Sequence, residues 1–127
     1  MVTIMMRSPS PRGFTLIEML VVLSVVALLL SLVAPSYLTH VDRARELALK
    51  VDLKTVRDAL DKFSADHGRD PRDLDELVST HYLREIPVDP LTDSATTWEP
   101  VVVNGATHDV HSGAPGNSMD GTAYASW

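Results

Sequence analysis

The sequence predicts an α+β fold: one long N-terminal α-helix, hydrophobic in its first half, whose second half packs on a small C-terminal antiparallel β-sheet. Three observations predict it. Residues 14–34 form a run of 21 residues in which only Thr15, Glu18, Ser24 and Ser31 are polar. Leu49, Leu53, Val56, Leu60 and Phe63 then recur in alternating steps of four and three, the spacing of one helical face. Near the other end, Asn104-Gly105 stands between β-rich segments, the pattern of a type I′ hairpin.

Composition narrows the function classes. The 127 residues allow one compact domain, and 45% of them are hydrophobic against 22% charged. Formal net charge is −6, from 11 basic and 17 acidic groups. Residues 1–34 hold only Arg7, Arg12 and Glu18, so residues 35–127 carry a net charge of −7. Such an acidic part argues against binding along a phosphate backbone, which needs a cationic surface. The chain has no cysteine, which excludes a disulfide framework, a thiol nucleophile and Cys-ligated zinc.

Residues 1–13 carry Arg7 and Arg12, with Pro9 and Pro11 opposing a helix. The apolar run that follows would span about 31 Å as a helix, the thickness of a bilayer's hydrocarbon core. Positive charge beside a span keeps that end cytoplasmic and sends the remainder of the chain across. A secretory signal peptide has a shorter apolar region and a small-residue exit site, whereas this run leads into Ala34-Pro35. Glu18 is the anomaly, because an unpaired carboxylate inside a span costs about 2–4 kcal/mol. It either stays hydrated near the interface or has a cationic partner.

Pro35 should kink the helix rather than stop it. Tyr37, Val41, Ala44 and Ala48 extend the apolar stripe backwards, and Gly68 is a natural stop, giving one helix from about residue 15 to 67. The other faces are charged, with Asp58 and Lys62 a favourable pair and Asp42 and Glu46 an unfavourable one. Asp73 reads as the N-cap of a short second helix, with Glu76 as a capping-box carboxylate and Leu74, Leu77 and Val78 facing inward. That helix should end near His81. Pro87 and Pro90 force an irregular stretch, and Asp89 between them reads as a turn former. Strands are expected over residues 96–103 and 107–111, with Pro100 at an edge or strand start. Residues 112–127 form a Gly-rich loop ending on Trp127.

Residues 12–20, Arg-Gly-Phe-Thr-Leu-Ile-Glu-Met-Leu, resemble the prepilin motif of type IV pilins and type II secretion pseudopilins. Glu85-Ile86-Pro87-Val88-Asp89-Pro90 and the segment from Asp109 through Ser112-Gly113 are similar to those of G-type, or major, pseudopilins, as is the closing Trp127. The resemblance implies a pilin-like fold in three parts: a leader over 1–13, a transmembrane and filament-core helix over 14–34, and a periplasmic head over 35–127. It implies cleavage after Gly13 by a prepilin peptidase, N-methylation of Phe14, and an assembly role for Glu18 opposite a neighbouring subunit's terminal ammonium. It further implies an inner-membrane protein that forms a homo-oligomeric periplasmic filament with other pseudopilins on an inner-membrane assembly platform. The function implied is export of folded proteins across the outer membrane. The alternative is a minor type IV pilin for adhesion, twitching or DNA uptake.

The same resemblance implies calcium in the C-terminal loop, with Asp109, Asn117 and Asp120 as side-chain donors. Here, however, Thr122 and Ala123 replace the family's adjacent acidic pair. The rival reading closes the loop by Asn, Asp and Ser turn hydrogen bonds and by Trp127 packing. No other cofactor is expected. His108 and His111, three apart on a regular strand, would point to opposite faces, a poor arrangement for a shared metal. Ser112 beside His111 lacks the surroundings of a nucleophile elbow, so the sequence offers no catalytic constellation.

Overall fold

A computed structural model describes residues 1–4 and 9–127. Arg7, one of the two cations ahead of the apolar run, lies outside the described residues. The chain divides into two units, Met1–Leu38 and Thr39–Trp127. A single helix, α1 (Leu16–His67), begins in the first and ends in the second. Pro35 lies inside α1 and does not terminate it.

In the first unit, the residues of α1 are exposed on every side: Leu20 is 61% exposed, Leu23 67% and Leu28 63%. The polar interruptions are satisfied locally. Ser24 Oγ donates to the Leu20 carbonyl and Ser31 Oγ to that of Leu28, both at 2.7 Å. An 18-residue window of this helix has mean hydropathy 2.8, so the described residues contain one helix long and apolar enough to cross a membrane.

The second unit is the α+β part of a pilin-like arrangement. Its core is built by Leu49, Leu53, Val56, Ala59, Leu60 and Phe63 of α1. Leu74 and Leu77 of α2 (Leu74–Ser79), together with Leu83, Trp98 and Val110, pack against them. The backward extension of the stripe is not part of this core, since Ala44 and Ala48 are exposed. Asp73 caps α2 by accepting from the Glu76 amide at 2.9 Å. The helix stops at Ser79, earlier than expected, because Thr80 and His81 turn back and His81 takes a positive φ of 65°.

The sheet is a two-stranded antiparallel hairpin of β1 (Trp98–Val103) and β2 (Ala106–Ser112). Asn104 and Gly105 take φ of 52° and 80°, as a type I′ turn requires at both central positions. Val101 pairs with Asp109 but Val102 with Thr107, so His108 is a bulged residue. The hairpin is tied to the turn before α2 by Thr107, whose amide donates to the Pro71 carbonyl at 2.7 Å. A single 3₁₀ turn, Tyr124–Ser126, closes the fold.

Candidate functional site: the processing segment and the C-terminal loop

At the N-terminal segment, a methyl group built on Gly13 would meet nothing within 4 Å, and Phe14 is 78% exposed. The peptide bond between them is therefore accessible on this chain. Thr15 and Glu18 form a reciprocal pair at the start of α1. The Thr15 hydroxyl accepts from the Glu18 amide at 3.2 Å, and Glu18 Oε2 accepts from the Thr15 amide at 3.4 Å. This is a capping box, in which two otherwise unpartnered amide donors of a helix end are satisfied. Glu18 thus has a third role besides hydration or a cationic partner. The Thr-x-x-Glu spacing at the start of the apolar run carries the signal.

In the head, Asp89 is fully buried. Its Oδ1 accepts from the Leu91 amide at 2.8 Å, the turn function read from sequence, while Oδ2 accepts from the Ser112 hydroxyl. Ser112 Oγ in turn accepts from the Ala114 amide at 3.1 Å. Trp98 Nε1 donates to the Pro87 carbonyl at 2.7 Å. The two segments singled out by resemblance are therefore one structural corner, bonded Asp to Ser. Gly113 has to be glycine there, because an added Cβ would lie 2.1 Å from the Thr97 carbonyl oxygen. Burial, and then the nearby Asp89 charge, push the Asp52 carboxyl up.

The charged side chains around α2 pair in a way the sequence reading did not reach. Glu76 is 9% exposed and takes the Arg69 guanidinium on both oxygens, at 2.7 and 3.3 Å. It also accepts from the Arg72 amide at 2.6 Å, one residue ahead of the cap itself. The Arg69 hydrogen bonds, and next that of the Arg72 amide, hold the Glu76 carboxyl at about 2. Asp70 accepts from Ser64 Oγ on one oxygen at 2.5 Å and lies 2.9 Å from His108 Nδ1 on the other. Serine and histidine both meet the carboxylate rather than each other, so this trio is no nucleophile–base pair.

In the C-terminal loop, Asp120 Oδ1 accepts from the Thr122 amide at 3.0 Å, the Thr122 hydroxyl at 2.6 Å and the Ser118 hydroxyl. The Ser118 and Thr122 bonds hold its carboxyl at about 2, with the Lys50 charge assisting. Asn117 is exposed and bridges Ala123 through its backbone. Asp109 Oδ1 is instead paired with Arg57 Nε at 2.7 Å. Trp127 Nε1 donates to Thr122 Oγ1 at 2.8 Å, and the Tyr124 and Trp127 rings meet edge to face at 5.3 Å. Calcium takes six to eight oxygen ligands. The donor set does not fit it, because Asp109 is neutralised by a guanidinium and the bonded oxygen of Asp120 closes its own turn. Among the described residues, no group of three or more His, Asp or Glu converges as a metal site.

The two histidines of β2 are also separate. The bulge at His108 interrupts the regular alternation on which the opposite-face expectation rests. What separates them is their partners: His108 faces Asp70, and His111 Nδ1 lies 2.6 Å from the main-chain oxygen of Trp127.

An exposed apolar helix opening behind an accessible Gly-Phe bond, with a small α+β head, defines the class of prepilin-like chains. Residues 9–34 match the family described as Prokaryotic N-terminal methylation motif. The chain is 32% identical over 101 residues to type II secretion system core protein G of Klebsiella michiganensis, covering 67% of this chain and 71% of that one. It is 27% identical over 134 residues to the protein of the same name from Escherichia coli, covering 91% and 89%. It is also 31% identical over 71 residues to Competence protein ComGC of Halalkalibacterium halodurans, covering 56% and 70%. No solved structure matches the chain. The chain belongs to the type II secretion system core protein G family.

Proposed function

We propose that this chain is the structural subunit of a type II secretion pseudopilus. It is stored in the bacterial inner membrane with its head in the periplasm and is assembled into a filament that drives folded proteins across the outer membrane. The observation that carries the reading is an apolar half-helix, exposed all round, that opens just after Gly13-Phe14 within the matched residues 9–34. The likeness to the E. coli core protein G extends over 91% of the chain, against 56% for the competence protein, which favours the secretion reading over the minor-pilin one. The role is mechanical rather than catalytic.

In this reading a prepilin peptidase cuts after Gly13 and methylates the new amine of Phe14, which keeps its charge. Glu18 then leaves its local cap and pairs with the ammonium of a neighbouring subunit. In the dry bundle of filament helices such a pair is strong, and removal of either partner is costly. The partners are further copies of this chain, other pseudopilins and the inner-membrane assembly platform.

Intact mass after coexpression with the peptidase tests the processing step. Loss of residues 1–13 with gain of one methyl group is expected, and retention of Met1 would overturn it. Deletion of the gene, followed by separate assays of exoprotein release and surface motility, tests the function. Release should fail; loss of motility with normal release would establish the pilus alternative.

A further inference from the structure

Three side chains of α1 reach the C-terminal segment. Glu46 Oε1 accepts from the Met119 amide at 2.8 Å and from the Tyr124 hydroxyl at 2.9 Å. One turn further on, the Lys50 ammonium lies 4.4 Å from the centroid of the Trp127 ring. Two turns beyond that, Arg57 Nη2 donates to the main-chain oxygens of Val110 at 3.0 Å and Trp127 at 2.6 Å, while its Nε holds Asp109. Offsets of four and seven place all three on one helical face. They grip the loop in its middle, at Met119, and at its far end, at Trp127.

We infer that Glu46, Lys50 and Arg57 close the C-terminal loop as an all-protein clamp, and that the loop of this chain keeps its fold without calcium. The positive charge a divalent ion would bring is already supplied by side chains. Arg57 neutralises Asp109, and Lys50 lines the same surface hollow of about 360 Å³ as Asp120 and Met119. A calcium ion entering here would meet the Lys50 ammonium and the Arg43 guanidinium, which offset the Glu46 and Asp120 carboxylates across the same hollow. Three hydrogen bonds on Asp120 Oδ1 already do the turn-closing work of a bound cation. Where the family's adjacent acidic pair is absent, as at Thr122 and Ala123, the threonine serves the loop as donor to Asp120 and acceptor from Trp127. This inference concerns the head alone and stands whether or not the chain assembles into a secretion filament.

Amide hydrogen exchange on the full-length chain in detergent, read over residues 116–127, tests it. The parental chain should exchange at rates equal within about twofold in EDTA and in millimolar calcium chloride. Lys50→Met and Glu46→Ala should each speed exchange at the Met119 and Tyr124 amides about tenfold, with β1 and β2 unchanged and no recovery on adding calcium. Calcium slowing the parental loop about tenfold or more relative to EDTA would overturn the inference, as would parental exchange rates in both variants. Should Glu46→Ala unfold the head, seen as lost protection in β1 and β2, Lys50→Met and the calcium comparison on the parental chain decide.

Discussion

The two halves of α1 handle the same kind of side chain in opposite ways. Leu23 and Leu28 are 67% and 63% exposed, whereas Leu49, Leu53, Leu60 and Phe63 are at most 2% exposed. Both halves satisfy their backbone within the helix, so hydrogen bonding does not distinguish them. The difference lies in what removes the apolar surface from water. The second half uses α2 and the hairpin of its own chain. The first half is exposed among the described residues, and so requires lipid or other helices.

The strongest way to break this contrast is truncation. Phe63→Ala should destabilise the head by about 3–5 kcal/mol through lost burial and cavity formation. Leu28→Ala in the detergent-solubilised subunit should change the unfolding free energy of the head, read from denaturant titration, by less than about 0.5 kcal/mol. Comparable effects at both positions would erase the distinction.

A smaller, pH-limited effect belongs to the head. Glu76 is held at about 2 against an ordinary 4.5. A carboxylate with a lowered folded-state pKa contributes fully above its ordinary value, and that contribution is lost as pH falls towards the folded value. Thermal melts should therefore weaken between about pH 4.5 and 2, and Glu76→Gln should flatten that part of the profile.

Smallest is the end of the first half. Thr15→Ala removes the hydroxyl of the capping box and should cost about 0.5–2 kcal/mol of local helix stability. Faster amide exchange in the first turn of α1, with an unchanged melt of the head, is the expected readout.

What the sequence reveals follows the range of the interactions. The stripe from Leu49 to Phe63, the Asp73 cap and the Asn104-Gly105 turn are local patterns fixed by helical period, cap chemistry and positive φ, and all are found. Arg57, Glu46 and Lys50 look like a solvated charged face in sequence. Their partners lie 52 to 78 positions away for Arg57 and Glu46, beyond any periodic signal. Charge pairing misled even locally: Asp58 takes Lys54 behind it, at 2.7 Å, rather than Lys62 ahead. The bulge at His108 leaves no mark in composition. Asp89 was legible as a turn former, but its burial against Ser112 depends on a contact between distant loops.

The proposed packing of the first half against sister subunits is tested most directly by cross-linking. The chain has no cysteine, so Leu28→Cys on one copy and Leu32→Cys on another, level with each other when Glu18 faces a neighbour's Phe14 amine, introduce a paired reporter. Cells carrying the secretion machinery and both variants, treated with a membrane-permeant oxidant, should yield a disulfide-linked dimer that is lost when Glu18→Ala is added. Variants that stay monomeric while exoproteins are still released, or a dimer indifferent to Glu18, would contradict burial of this helix among its own copies.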